Sequence, residues 1–193
     1  ISHKFILKLL RHIDMPLWSV GVVAGLLHEV SVVAVMAGSA GSPIPIKRGV
    51  KQGCPFSPLL FIVCFDVLLV KLKDPGRTAY AYADDLALTA GRTGSLVRAL
   101  SIIRDFSAVS GLGLNPKKTV LVGTRDLTRT ERRGFDEAGW DQILQAASCK
   151  YLGVRIGPNV TTAEVFAEAK AKFDRRLELF RPFLRTASLQ TRI

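Results

Sequence analysis

A chain of 193 residues fits one domain, or one and a piece of a second, and 48% hydrophobic against 22% charged residues excludes a disordered chain. The net charge of +11 is spread out, with 11 Lys and Arg against 6 Asp and Glu in residues 1–100 and 16 against 10 in residues 101–193, which favours nucleic acid over an acidic membrane as a partner. Cys54, Cys64 and Cys149 show no paired spacing, so no disulfide framework or zinc site is indicated and a reducing, intracellular compartment is expected, nucleus and cytoplasm being indistinguishable.

Phe5, Ile6, Leu9, Leu10 and Ile13 recur at helical spacing with Lys4, Lys8 and Arg11 opposite, predicting a helix over 3–13 that Pro16 interrupts. Leu17 to Met36 is almost wholly apolar. Glu29, Gly21 and Gly25 argue against a membrane span there, and a buried helix running into a strand is expected. Val30 to Val35 predicts that strand, Gly38 to Pro45 a turn region, and Ile44 to Val50 the partner strand. Ser57 to Leu72 predicts a largely buried helix with Pro58 in its first turn. After a turn at Asp74-Pro75-Gly76, Thr78 to Thr89 reads as strand, tight acidic turn and strand.

Leu96, Leu100, Ile103, Phe106 and Val109 predict an amphipathic helix ended by Ser110-Gly111. Thr119 to Val122 predicts a short strand, residues 124–147 a polar surface loop with some helix, and Lys150 to Ile156 a strand. Phe166, Ala169, Phe173, Leu177, Phe180 and Leu184 then mark an amphipathic helix carrying Lys170, Lys172, Arg175, Arg176 and Arg181. Hairpins with covering helices make the fold class α+β. The absence of an initial Met and the character of both ends suggest a chain cut from something longer.

Chemistry concentrates at Tyr82-Ala83-Asp84-Asp85. Two adjacent carboxylates repel unless a cation neutralises them, and hard oxygens suit Mg²⁺, which completes its shell with water and substrate phosphates. An ordinary Asp-Asp turn is the bland alternative, and for an isolated pair it would be the better one. Lys47 to Phe61 joins a basic, glycine-containing loop to a helix start, an arrangement suited to phosphates. A solvated basic turn capped by Ser57 is its alternative. Gly111 to Thr119 is a helix end, turn and strand start with Lys117 and Lys118, and Tyr151-Leu152-Gly153-Val154 is an apolar strand whose glycine allows close approach of backbone or ligand.

In order, Arg48-Gly49-Val50-Lys51-Gln52-Gly53-Cys54-Pro55-Phe56-Ser57-Pro58, Tyr82-Ala83-Asp84-Asp85, Gly111 to Thr119 and Tyr151-Leu152-Gly153 resemble successive motifs of non-LTR retrotransposon reverse transcriptases. The resemblance implies a right-hand polymerase palm, an antiparallel sheet bearing the YADD hairpin with helices packed on one face, and incomplete fingers and thumb. Residues 1–158 would be partial fingers and palm, and 159–193 the start of the thumb. It further implies an RNA template, a DNA or RNA primer, deoxynucleoside triphosphates, and two Mg²⁺ or Mn²⁺ ions held by Asp84 and Asp85. Tyr82 matches the position at the primer end, with Arg48 and Lys51 beside primer and template. Gln52 and Gly53 match the loop beside the incoming nucleotide. Lys118 matches a lysine proposed to protonate pyrophosphate, with a phosphate contact or a plain surface charge as the alternatives. The family's third carboxylate is expected upstream of Ile1, so the isolated chain is expected not to polymerise. No membrane partner is expected, and oligomeric state is not legible. A group II intron-type maturase and a non-catalytic RNA-binding relic are the alternatives.

Overall fold

The structure, a computed structural model, describes residues 1–46, 48–49 and 53–186, with side chains described to residue 182. The chain divides into two compact units, residues 1–116 with 128–141, and residues 117–127 with the chain from 142 onward.

In the first unit, helix α1 (His3–His12) buries Ile6, Leu9 and Leu10 and exposes Lys4, Lys8 and Arg11, as the period of 3.6 requires. Helix α2 (Leu17–Leu27) begins directly after Pro16 and buries only Val20, Val23 and Leu27. Leu17, Trp18, Val22 and Leu26 are exposed, so the expected buried helix is buried along one stripe alone. A uniformly apolar segment carries no polar face to reveal which stripe that is. Among the described residues no helix is long and apolar enough to cross a membrane.

The expected strand over Val30 to Val35 is broken in two. Strands β1 (Ser31–Val32), β2 (Val35–Met36), β3 (Ser39–Ala40) and β4 (Ile44–Pro45) form nested antiparallel ribbons, β1 with β4 and β2 with β3. Ala37 and Gly38, with φ of 48° and 82°, make the inner two-residue turn. Helix α3 (Phe56–Leu72) buries Ser57, Leu60, Cys64, Phe65, Leu68 and Leu72 and exposes Phe56, Leu59, Ile62 and Val70. It is therefore half buried rather than largely so. Ser57 lies inside the helix and Pro55 is the cap, so the alternative of a turn capped by Ser57 is not what forms, and Pro58 stands in the first turn as expected.

Strand β5 (Arg77–Tyr82) and strand β6 (Asp85–Ala90) form an antiparallel hairpin. Helix α4 (Thr93–Ser110) follows, buries Leu100, Ile103 and Phe106, and ends at Gly111 in the left-handed conformation, φ 71°. Helices α1, α2 and α3 share a core around Ile6, Leu10, Val20, Leu60 and Cys64, and Phe5 meets Phe106 edge-on at 5.7 Å. Helix α5 (Arg129–Glu137) lies where mostly loop was expected. A capping box between Thr128 and Glu131 starts it, Thr93 donates to Glu131 at 2.6 Å, and Phe135 is buried in it with Ala138 and Trp140 just beyond.

In the second unit, strand β7 (Val120–Val122) pairs in parallel with strand β8 (Leu144–Ala146). The single strand expected over Lys150 to Ile156 is a hairpin of β9 (Cys149–Tyr151) and β10 (Val154–Ile156). Leu152 and Gly153, with φ of 48° and 85°, form its turn, so Gly153 serves backbone conformation, and nothing lies within 4 Å of a Cβ placed there. Helix α6 (Thr162–Thr186) carries the expected basic residues, with Phe166, Phe173 and Phe180 exposed along it. Helices and small sheets together are the α+β class. In place of one antiparallel sheet, the described residues hold five two-stranded ribbons, one of them parallel.

Candidate active site

Alternation along the β5–β6 hairpin sorts its side chains onto two faces. Arg77, Ala79 and Ala81 with Leu86, Leu88 and Ala90 form one face; Thr78, Tyr80 and Tyr82 with Asp85, Ala87 and Thr89 form the other. Arg77 is 7% exposed, whereas Tyr80 and Tyr82 are 54% and 67% exposed, so the first face is turned to the helices and the second is open. Helices α3 and α4 contact β5 and β6 respectively. Tyr82 stands directly across from Asp85, and Ala83 and Asp84 make the turn, with Ala83 at φ 50°. A non-glycine residue there is uncommon and stores local strain, which a functional turn can justify.

Both carboxylates are exposed. Among the described residues neither takes part in a hydrogen bond or ion pair, although cations are abundant in the chain. They are therefore available to an external cation, and as hard oxygen donors they suit Mg²⁺ or Mn²⁺. Among the described residues no group of three His, Cys, Asp or Glu could hold a metal, so the pair is at most part of a coordination shell.

The base of the hairpin is fixed by a residue that sequence reasoning missed. The buried Arg77 guanidinium donates from Nε and Nη2 to the Leu72 carbonyl at 2.9 and 2.7 Å, and from Nη1 to the Ser95 carbonyl at 2.8 Å. The guanidinium thus sits at the C-terminus of α3, where the helix dipole favours positive charge. Asp66 and Leu69 of α3 share a groove with Thr78 and Ala79 of β5, so the strand runs back along the helix. The N-terminal end of α3 lies about 25 Å along the helix from the Leu72 end.

That end follows Gly53, whose φ of 83° suits glycine, and the Ser57 N–H donates to the Cys54 carbonyl at 3.0 Å. Gln52 and Lys51, with Lys47, lie outside the described residues. Arg48 is exposed and bridges to Ser2, and the adjacent Gly49 donates to the Ile1 carbonyl at 2.7 Å while its own carbonyl meets the His3 ring at 2.9 Å. The Ser2 N–H donates to the Ser110 carbonyl at 2.7 Å, so the Arg48 loop and the end of α4 converge on the start of α1. Lys118 is exposed in a 3-10 turn, Pro116–Lys118, and belongs to the second unit.

Among the described residues, titratable groups away from the hairpin are perturbed. Burial pushes the Cys64 thiol up to about 11. Hydrogen bonds from the Thr161 backbone and hydroxyl hold Glu164 below its ordinary value. Hydrogen bonds from Lys150 and Lys172 bring Glu168 down to about 2.

The model of the family described as reverse transcriptase (RNA-dependent DNA polymerase) matches residues 1–156, and the chain belongs to that family. Among similar proteins, the Pol polyprotein of the type-1 retrotransposable element R2 from Popillia japonica is 32% identical, over 63% of this chain and 19% of its own length. That of the R2 element from Nasonia vitripennis is 30% identical over 80% of this chain and 17% of its own. That of the type-2 element R2DM from Drosophila melanogaster is 34% identical over 55% and 12%. The resemblance to part of a non-LTR retrotransposon reverse transcriptase is thereby borne out, and the chain spans a fifth or less of these relatives.

Proposed function

We propose that this chain is palm, with fingers elements and the start of the thumb, of an RNA-directed DNA polymerase that extends a primer 3′ hydroxyl with deoxynucleoside triphosphates. Residues 1–158 are the partial fingers and palm, and 159–193 open the thumb. The observation that carries this is the pair of unpartnered carboxylates, Asp84 and Asp85, on a tight hairpin tip with Tyr82 opposite Asp85.

Asp84 and Asp85 would hold two Mg²⁺ or Mn²⁺ ions. Such ions neutralise phosphate charge and lower the pKa of a coordinated hydroxyl. Tyr82 orients the primer end across from Asp85. Gln52 and Gly53 stand beside the incoming nucleotide. Arg48 and Lys51 contact the primer and template backbone, and Lys118 protonates pyrophosphate or contacts a phosphate. Two carboxylates are too few for two ions and a triphosphate, so the 193 residues alone should not polymerise.

The test is primer extension on RNA by the longer protein that contains this chain, with Mg²⁺ or Mn²⁺. Asp84→Asn keeps the shape and loses the charge, and should cost on the order of 10²–10³-fold or more. Equal copying by Asp84→Asn would remove the metal-ligand assignment. A longer protein that binds RNA and never copies it would leave a non-catalytic RNA-binding role.

A further inference from the structure

We infer that Tyr80 is a second aromatic contact for the primer strand, upstream of the end held at Tyr82; this rests on the proposed assignment of the hairpin tip as the catalytic end. Tyr80 stands two residues before Tyr82 on β5 and shares its open face. Its directly opposed neighbour on β6 is Ala87, and that of Thr78 is Thr89, so no large side chain screens the ring. Tyr80 is 54% exposed, and among the described residues it takes part in no hydrogen bond, ion pair or ring contact.

The composition of the face narrows the occupant. Thr78, Tyr80, Tyr82, Ala87 and Thr89 are uncharged, and Asp85 at the tip is the one charge among the paired residues of this face. A strip without cations does not suit a phosphate row. Two flat amphipathic rings suit the sugars and base edges that a paired primer presents along a wide, shallow minor groove, with little regard to sequence. The rings step about 6.6 Å along the strand, against about 3.4 Å per nucleotide along a duplex. A primer whose end lies at Tyr82 and which runs back along β5 therefore meets Tyr80 about two nucleotides upstream.

The chain holds three tyrosines, Tyr80, Tyr82 and Tyr151, which makes ring-labelled tyrosine a sparse probe. An RNA–DNA hybrid with a recessed primer 3′ end is titrated in while the aromatic resonances are followed and binding is measured separately by fluorescence anisotropy. Expected are shifts at both Tyr80 and Tyr82, a loss of about tenfold in affinity for Tyr80→Ala, and near wild-type affinity for Tyr80→Phe, which keeps the ring. Shifts at Tyr82 with none at Tyr80 would overturn the proposal and leave the catalytic assignment standing, whether or not Tyr80→Ala folds. A hybrid that binds and moves neither ring would show that nucleic acid does not use this face, and the assignment of Tyr82 would fall with it.

Discussion

A buried guanidinium is costly unless its nitrogens find acceptors, and all three of Arg77 do, with two main-chain carbonyls and the Ser95 hydroxyl instead of a carboxylate. Arg77→Met should cost about 2–3 kcal/mol, since hydrogen bonds to a charged group are lost and the Leu72 and Ser95 carbonyls are left in the interior. Arg77→Lys should recover only part of this, because an ammonium cannot reproduce the fork. Urea unfolding with an unchanged midpoint for Arg77→Met would contradict the account. Nothing in Gly76-Arg77-Thr78 distinguishes this arginine from the chain's other cations, because its partners are backbone groups supplied by the tertiary fold. Asp84 and Asp85 stand out in the sequence as carboxylates among strand residues, and it is the order of the four motifs, not the pair alone, that weighs against an ordinary turn. Cys64 gives a second check. Its thiol stays neutral up to about pH 11 when folded but ionises near 9 when unfolded, so its contribution to stability is complete below 9 and is lost as pH rises through 11. At pH 8 iodoacetamide should modify the partly exposed Cys54 and Cys149 and spare Cys64; mass spectrometry finding Cys64 modified first would reverse that assignment.

Elements with two contrasting faces were readable, and those without were not. Helices α1 and α4 declared themselves through charged or polar residues opposite their buried stripes. Helix α2 has no such contrast, and its exposed Leu17, Trp18, Val22 and Leu26 follow from packing alone. The turn at Leu152-Gly153 lacks the Asn or Asp that normally announces a two-residue hairpin, so residues 150–156 read as a single strand, whereas Gly38 falls inside the turn region expected there. Helix α5 hid in a charged stretch, although Thr128-x-x-Glu131 is a capping signature. Helix α6 is attached differently: its described side chains, to residue 182, are nearly all exposed, and Glu168 joins it to Lys150 of β9 while also pairing with Lys172 at 2.8 Å. The carboxyl of Glu168 is lowered from its ordinary 4.5 to about 2 on folding. Its contribution is therefore present above 4.5 and lost as pH falls through about 2. Glu168→Gln should accelerate amide exchange in the first turns of α6 at pH 6, and wild type should approach that behaviour near pH 2 or in high salt. Identical exchange in the two proteins at pH 6 would mean that the ion bridge does not hold the helix.

For the chain as a whole the governing quantity is a net charge of +11. No single segment owns it, since both halves carry an excess. In the second unit, Lys170, Lys172, Arg175, Arg176 and Arg181 lie on the exposed α6, while in the first Arg48 and the α1 cations are exposed. Such charge attracts phosphates wherever they lie and discriminates little between sequences, because a phosphate contact positions without reading bases. The isolated chain should therefore bind RNA and primer–template hybrids weakly and with little sequence preference. Each neutralised phosphate releases condensed counterion, so log affinity should fall linearly with log salt at a slope near −0.9 per contact for a duplex and −0.7 for a single strand. With about four contacts, raising salt fourfold should weaken duplex binding by roughly 150-fold. The proposed contact of Tyr80 and Tyr82 with the primer carries no counterion term, so Tyr80→Ala should lower affinity equally at every salt, whereas Lys172→Gln with Arg176→Gln should flatten the slope by about two contacts. Anisotropy titrations from 50 to 200 mM salt separate the two effects. Affinity that does not change across that range would mean that the basic excess is not used to hold nucleic acid.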